Sequence, residues 1–540
     1  MDREVNIDSI RALEEEIKEH ERAAIGLKRA RNSLLNVSKL PPEVLGNVFR
    51  WNTILKGDFD GLEKGSHNFL LVCHHWFEVA SRTPELWSFW GTVPDEWARW
   101  CHRSKTAPVD LVLLSGYGYD KSIFDAILRD ALEDRATKDI IRRLHFASGD
   151  TGLMRTILDS LTLDCEEIRS SGIESMILQN QSMISMDVSD FFVRYRFPKL
   201  QCLKLRGCSI LPWDHLTSRT SILTTLELDV GFPSLPPTTS QSLSILSSNP
   251  ALRKVALRWR VVPDDGGGKS SSRVQLHHLK ELRLHGGVRH VFNLLDQLDY
   301  PGNVNFLSLF LRGCDEMDVS QVIGPYLRDH IRRRDRAQDG LSFFVTSGYR
   351  THRAPHVTLC VGDAGKTNFS DSAQQVGTFV DITALLNGKP PEVREKAVLD
   401  LVVWIPREEV VYFKTRSNAV ATKDPCTQFP KIKALEFDYV DLSAAFPGPK
   451  LAGDPEGKIF HPLERVFLGH VNDDDWSPLV TFLARRVSSG NRLDTLVISD
   501  SPDIPPEVVE GIRGMVRELE IDHHSSPPLY LNIGPDPLQS

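Results

Sequence analysis

Apolar residues recur along much of this chain in one fixed arrangement. An apolar position is followed by two variable ones, a second apolar position, one variable one and a third apolar position. The arrangement occurs as Ile141/Leu144/Phe146, Ile173/Met176/Leu178, Leu200/Leu203/Leu205, Leu223/Leu226/Leu228, Leu252/Val255/Leu257, Leu279/Leu282/Leu284 and Val304/Leu307/Leu309. It returns as Ile432/Leu435/Phe437, Leu463/Val466/Leu468, Leu493/Leu496/Ile498 and Val516/Leu519/Ile521. Within each run the middle residues stand 23 to 32 positions apart, Leu203 to Leu226 and Leu144 to Met176 being the extremes. The last two apolar positions place their side chains on one face of a short strand. Helical patterns fall between strands, as in SQSLSILSSN (240–249), HVFNLLDQL (290–298) and DDWSPLVTFLARRV (474–487). One such unit cannot bury its own apolar faces, so the pattern predicts stacked units with a parallel sheet.

The pattern fades between 313 and 431. SFFVTS (342–347), VTLCVG (357–362) and LDLVVWI (399–405) still read as strands there, and three or four divergent units are expected. PDDGGGKSSS (263–272) and GFPSLPPTTS (231–240) are loops by composition. Pro108 suits a strand start, with Val109, Leu111 and Leu113 alternating at period two.

The N-terminal third follows other periods. Ile10, Leu13, Ile17, Ala24, Leu27 and Leu34 occupy a and d positions of a heptad, with His20 and Arg31 in the remaining slots. A helix follows, and fewer than four heptads barely sustain a separate coiled coil. Dimerisation through residues 10–34 is one reading; an amphipathic helix packed on the next module or on the repeats beyond it is the reading adopted. Beyond it, NVSKLPPEVLGNVFRW and FLLVCHHWFEVASRTPELW flank a polar insert running from about Thr53 to His67. Pro41 and Pro42 fit the first turn of a helix and Glu43 its positive end. Val44, Leu45, Val48 and Phe49, then Leu70, Leu71, Val72, Cys73, Trp76, Phe77 and Val79, exceed what so small a unit can bury within itself.

Leu40, Pro41, Pro42, Glu43, Leu45, Val48 and Phe49, with Leu71, Val72, Cys73, Trp76, Ala80, Leu86 and Trp87, resemble an F-box in order and spacing. That module docks on the Skp adaptor of cullin-based ubiquitin ligases. The Glu-rich helix before it, and WARWCHRSKTAPVDLV (97–112) after it, are similar to F-box proteins of mushroom-forming fungi. The later triplets resemble leucine-rich repeats in period. The implied fold is α/β: an N-terminal helix (1–35), a helical F-box (36–90), a connecting helix and first strand (91–115), an irregular leucine-rich-repeat-like solenoid (116–522) and a Pro/Ser-rich tail (523–540). The implied function is that of a substrate-receptor subunit of an SCF-type ligase. Leu40, Pro41, Pro42, Leu45, Val48, Phe49, Val72, Trp76 and Trp87 would be adaptor contacts or their support. Cullin would follow through the adaptor, and an unknown target protein would meet Arg258, Trp259, Arg260, Arg283 and His285. The alternative is a leucine-rich-repeat scaffold with no part in ubiquitin transfer.

Composition adds exclusions. The 540 residues carry a formal net charge of −8 with 25% charged residues, and no basic block predicts nucleic acid. The start lacks a signal-peptide layout, and no apolar run is long enough for a bilayer. Eight scattered cysteines are no disulfide framework, so a reducing compartment, cytoplasmic and/or nuclear, is expected. GDAGKT (362–367) ends like a phosphate-binding loop, but Cys360 stands where the motif needs glycine. The pairs His74–His75 and His277–His278 have no convergent ligands, Cys202 and Cys208 read as buried thiols, and Asp473–Asp475 read as a helix cap. No catalytic site, metal or cofactor is predicted.

Overall fold

The computed structural model describes residues 2–55, 68–90, 103–104, 107–115, 140–162, 169–182, 184–220, 222–230, 235–259, 273–301, 304–312, 319–333, 341–350, 354–363, 378–385, 390–415, 421, 429–446, 462–471, 475–499 and 504–522. Most of the expected insert, the connecting helix at 97–102, the loop at 263–272, Arg260 and the tail at 523–540 lie outside them. The chain divides into two units, residues 1–182 with 188–203 and residues 183–187 with 204–540.

The first unit opens with one long helix, α1 (Asp2–Ser33). Every residue from Ser9 to Arg31 is exposed, including Ile10, Leu13, Ile17 and Leu27. Among the described residues, none covers this helix in the way the expected packing requires. Charged residues fill many of its other positions, with Lys18 paired to Glu15 at 2.7 Å, while the apolar Ile10, Leu13, Ile17 and Leu27 face solvent.

A helical subdomain follows: α2 (Pro42–Leu55), a single turn (Asn68–Leu71), α3 (His74–Ser81) and a second turn (Pro84–Trp87). Helix α2 runs on through Thr53–Leu55, which the sequence assigned to the insert. Leu45, Phe49, Phe69, Val79, Ala80, Leu86 and Trp87 are its buried centre. Phe49 stacks on Phe69 with centroids 4.7 Å apart and lies 5.0 Å from Trp76. The Trp87 indole N–H donates to the Ala80 carbonyl at 2.7 Å, tying the closing turn to α3. Gly46 lets α2 approach the start of the closing turn: a Cβ there would stand 3.1 Å from the Thr83 hydroxyl. The strands β1 (Val109–Ser115), β2 (Ile141–Ser148) and β3 (Ser175–Asn180) then pair in parallel, with α4 (Thr151–Thr162) between β2 and β3.

Strand β4 (Cys202–Arg206) spans the division in sequence. In the second unit β5 (Thr225–Asp229), β6 (Lys254–Arg258), β7 (Glu281–Gly287) and β8 (Phe306–Arg312) run parallel, with α5 (Thr239–Ser247) after β5 and α6 (Val288–Asp296) after β7. The middle residues of the triplets align across them, Leu226 on Val255, Val255 on Leu282 and Leu282 on Leu307. Each side chain thus meets its counterpart one strand away, and all four are buried. Asn249, fully buried, links the end of α5 back to the preceding strand by accepting from the Leu223 N–H and donating to the Ile245 carbonyl. The same register returns in β13 (Ala434–Asp438), β14 (Arg465–Gly469), β15 (Leu493–Ser499) and β16 (Val516–Asp522), with α9 (Ser477–Ser488) and α10 (Pro506–Met515) between the last three. Leu435, Val466, Leu496 and Leu519 align.

The stretch where the pattern faded is not a run of further units. After α7 (Gly324–Arg333) come β9 (Leu341–Arg350), β10 (Ala354–Asp363) and β11 (Thr378–Leu385), and β10 is antiparallel to both neighbours. β11 returns to pair with β8, and β9 pairs with β12 (Val410–Thr415), which leads into β13. The spatial order is β8, β11, β10, β9, β12. SFFVTS and VTLCVG are strands, but most of LDLVVWI is the end of α8 (Pro391–Val402). Pro390, Pro391 and Glu392 open that helix as Pro41, Pro42 and Glu43 open α2, and Ala397 and Leu401 repeat at helical spacing on its buried side. No described helix is long and apolar enough to cross a membrane.

Candidate functional site

Helix α2 has two apolar sides. Leu45 and Phe49 point into the subdomain, while Val44, Val48 and Trp51 form a second stripe at i, i+4 and i+7 that faces solvent. Val48 is 50% exposed and Trp51 62%. The turn before α3 adds Leu71, 85% exposed, and Val72, and α3 adds Phe77. A surface helix normally shows its partner-free side as polar, so an apolar outer stripe makes this face a candidate docking surface.

This geometry sorts the predicted adaptor residues. Pro41, Pro42, Val48 and Val72 are exposed, Leu40 and Trp76 half-buried, and Leu45, Phe49 and Trp87 buried. The buried three support the face without forming it. Trp87 is further held by the Arg103 guanidinium, 4.3 Å above its ring. Val44, Trp51, Leu71 and Phe77 join the exposed set; none was among the predicted site residues. The helical wheel of α2 carries that signal for Val44 and Trp51, because they lie about 120° and about 140° from the centre of the Leu45/Phe49 side. Beside the stripe, a groove of about 530 Å³ is lined by polar and charged groups, among them Asn47, Arg50, His75, Glu78 and Arg82.

A second surface lies on the open side of β5 to β8. Alternate residues of these strands carry a ladder of ion pairs: Lys204–Glu227 at 3.1 Å, Glu227–Lys254 at 3.3 Å, Lys254–Glu281 at 3.2 Å and Glu281–Arg283 at 2.5 Å. A second row joins Arg206 and Arg258 through Asp229 at 3.7 and 3.4 Å. Burial pushes the Glu227 carboxyl up, but the ammonium groups of Lys204 and Lys254 outweigh it and hold it below the ordinary value. Arg258 sits beside His285 in register, and the His285 ring lies 4.1 Å from that of Phe310. The Arg283 guanidinium lies 4.9 Å over Phe306.

Three of the predicted target residues, Arg258, Arg283 and His285, therefore share one face. Trp259 does not. It is 4% exposed because it has the parity of Val255 and Leu257, the buried side of β6. Neighbouring residues of one strand face opposite ways, so Arg258 and Trp259 could not both have met a target.

No family model and no curated protein matches this chain. Its functional reading rests on its own residues.

The structure also shows a feature that no sequence pattern announced. Tyr439 and His470 follow β13 and β14 with φ of 57° and 49°, the left-handed region that side chains seldom occupy. Gly207 does the same after β4 with φ of 63°. All three donate their N–H to the carbonyl of the last residue of the next strand: Gly207 to Asp229, Tyr439 to Gly469 and His470 to Ser499. The Tyr439 and His470 rings stack at 4.1 Å, and His470 Nδ1 lies 2.9 Å from the buried Asp438 carboxylate. These contacts offset a backbone cost of about 1 kcal/mol or more at each position. Among the described residues, no group of three His, Cys, Asp or Glu could hold a metal ion.

Proposed function

We propose that the helical subdomain is an F-box and that the chain is a substrate-receptor subunit of an SCF-type ubiquitin ligase. The observation that carries this reading is α2, apolar on two sides with only one of them covered. The residues that match the F-box pattern divide between those two sides, as a docking helix requires. The outer stripe of Val44, Val48 and Trp51, with Leu71 and Val72, would meet the Skp adaptor, and cullin would follow through it.

The parallel strands of the second unit then act as a leucine-rich-repeat-like platform. Target recognition falls on the open face around Arg258, Arg283 and His285, where paired charges favour a polar partner surface. The mechanism is proximity: a target lysine held near the charged enzyme gains effective concentration, and this chain forms no bond itself. Such an assembly works in the cytoplasm or nucleus.

Capture of the full chain by purified Skp adaptor tests the reading. Binding that Leu40→Ala/Pro41→Ala weakens is expected. A folded native chain that fails to bind removes the F-box assignment and leaves a leucine-rich-repeat scaffold. Recovery of cullin with the chain from cells separates ligase subunit from scaffold.

A further inference from the structure

Helix α1 presents an apolar seam that no described part of the chain covers. Ile10, Leu13, Ile17 and Leu27, continued by Leu34 one residue past the end of the helix, are each about half to three-quarters exposed, from 49% at Ile10 to 76% at Leu34. We propose that this seam pairs with the same helix of a second copy of the chain, as an antiparallel two-helix coiled coil. The inference rests on α1 alone and is independent of the adaptor reading.

The core slots choose the orientation. In a parallel pair each a or d residue meets its own counterpart. His20 would face His20 and Arg31 would face Arg31, two cations in the seam. Along the flanks Glu16 at g would meet Glu21 at e of the other copy, twice. Turning one helix round removes all of these contacts. Position a then faces position d, so Ile17 meets Leu27 and Ile10 meets Leu34. At the centre His20 meets Ala24, whose small side chain leaves room for an imidazole. Arg31 meets Leu13 near the end of the seam, where its stem can lie along the leucine while its charge reaches water.

The charge distribution agrees. Residues 2–21 hold eight acidic and three basic side chains, whereas 22–33 hold four basic and no acidic ones. This polarity suits the dipole of a single helix. In an antiparallel pair it also lays each acidic half along the other copy's basic half. The flanking contacts at the e positions are Glu14 with Lys28, made twice by the two-fold symmetry, against a single like-charge meeting of Glu21 with its own counterpart at the axis. Every favourable contact recurs in this way, which is why a second copy fits the strip and is self-complementary.

Sedimentation equilibrium of the full chain at micromolar concentration reads the result directly. The expected mass is twice the 60.9 kDa of one chain. Ile17→Asp/Leu27→Asp should return it to one chain mass. These side chains are exposed in the single chain, so its circular dichroism and thermal midpoint should not move. Orientation is read from charge exchange in low salt: Lys28→Glu should weaken the dimer about tenfold, and adding Glu14→Lys should restore it. In a parallel pair positions 14 and 28 face Ser9 and Ala23, and no restoration occurs. A native chain that stays at 60.9 kDa, a dimer untouched by Ile17→Asp/Leu27→Asp, or a charge exchange without rescue would each overturn the proposal.

Discussion

The helical subdomain and the parallel strands of the second unit use apolar residues in opposite ways. Along β5 to β8 each inward residue lies against its counterpart on the next strand, and Leu282 between Val255 and Leu307 is fully buried. The other face of those strands is polar, with its charges paired. Repetition closes the core from within. In the subdomain, α2 is apolar on both flanks, and only the flank carrying Leu45 and Phe49 is covered. A unit of this size has too little volume to enclose so many large side chains. Completeness of burial thus separates residues that hold the fold from those we propose as the adaptor-docking face.

Adjacent positions on α2 give the sharpest way to break that contrast. Phe49→Ala should cost about 3–5 kcal/mol in urea unfolding followed by a subdomain signal, because it empties the stack on Phe69 and Trp76. Val48→Ala, one residue away, should stay within about 0.5 kcal/mol. Equal effects at the two positions would mean that the outer stripe is covered within the chain.

The repeating strands supply the next comparison. Leu282→Ala should cost about 2–5 kcal/mol, whereas Leu519→Ala, on the half-covered final strand, should cost about 1 kcal/mol. A cost at Leu519 matching that at Leu282 would show that β16 is covered by something beyond its pairing with β15.

The smallest effect concerns the charge ladder. The Glu227 carboxyl is held below its ordinary value of 4.5, so its contribution is full above that pH and is lost as pH falls through the lower folded value. Glu227→Gln should therefore reduce stability at pH 7 by under about 1 kcal/mol and have no such effect in acid, once the carboxyl is protonated in the folded chain. Urea titrations at pH 7 and in acid check this. A loss that persists in acid would assign Glu227 a packing role instead.

Much of the strand register was legible in sequence because the triplet is a geometric signature: a strand must alternate, and a stacked unit must repeat. Where chain neighbours cease to be spatial neighbours, the signal fails. β11 pairs with β8 across an excursion that no local period encodes. LDLVVWI shows how an apolar run fits helix and strand alike; the Pro390–Pro391–Glu392 opener was the deciding feature. Trp259 was misplaced although alternation alone put it on the side opposite Arg258. Of the docking face, the F-box-like spacing marked the region, while the split between Val48 and Phe49 needed helix phase as well as composition. Tyr439 and His470 are defined by backbone angle, which side-chain type does not disclose. The seam on α1 was readable as a heptad, but its lack of cover became visible only when the chain was folded.

The central claim is that the outer stripe of α2 is an adaptor-docking face. Its most direct test is calorimetric titration of purified Skp adaptor into the native chain and into Val48→Glu/Trp51→Glu. The account predicts saturable one-to-one binding by the native chain and none by the variant, with thermal midpoints of the two chains alike. Undiminished binding by the folded variant would contradict it.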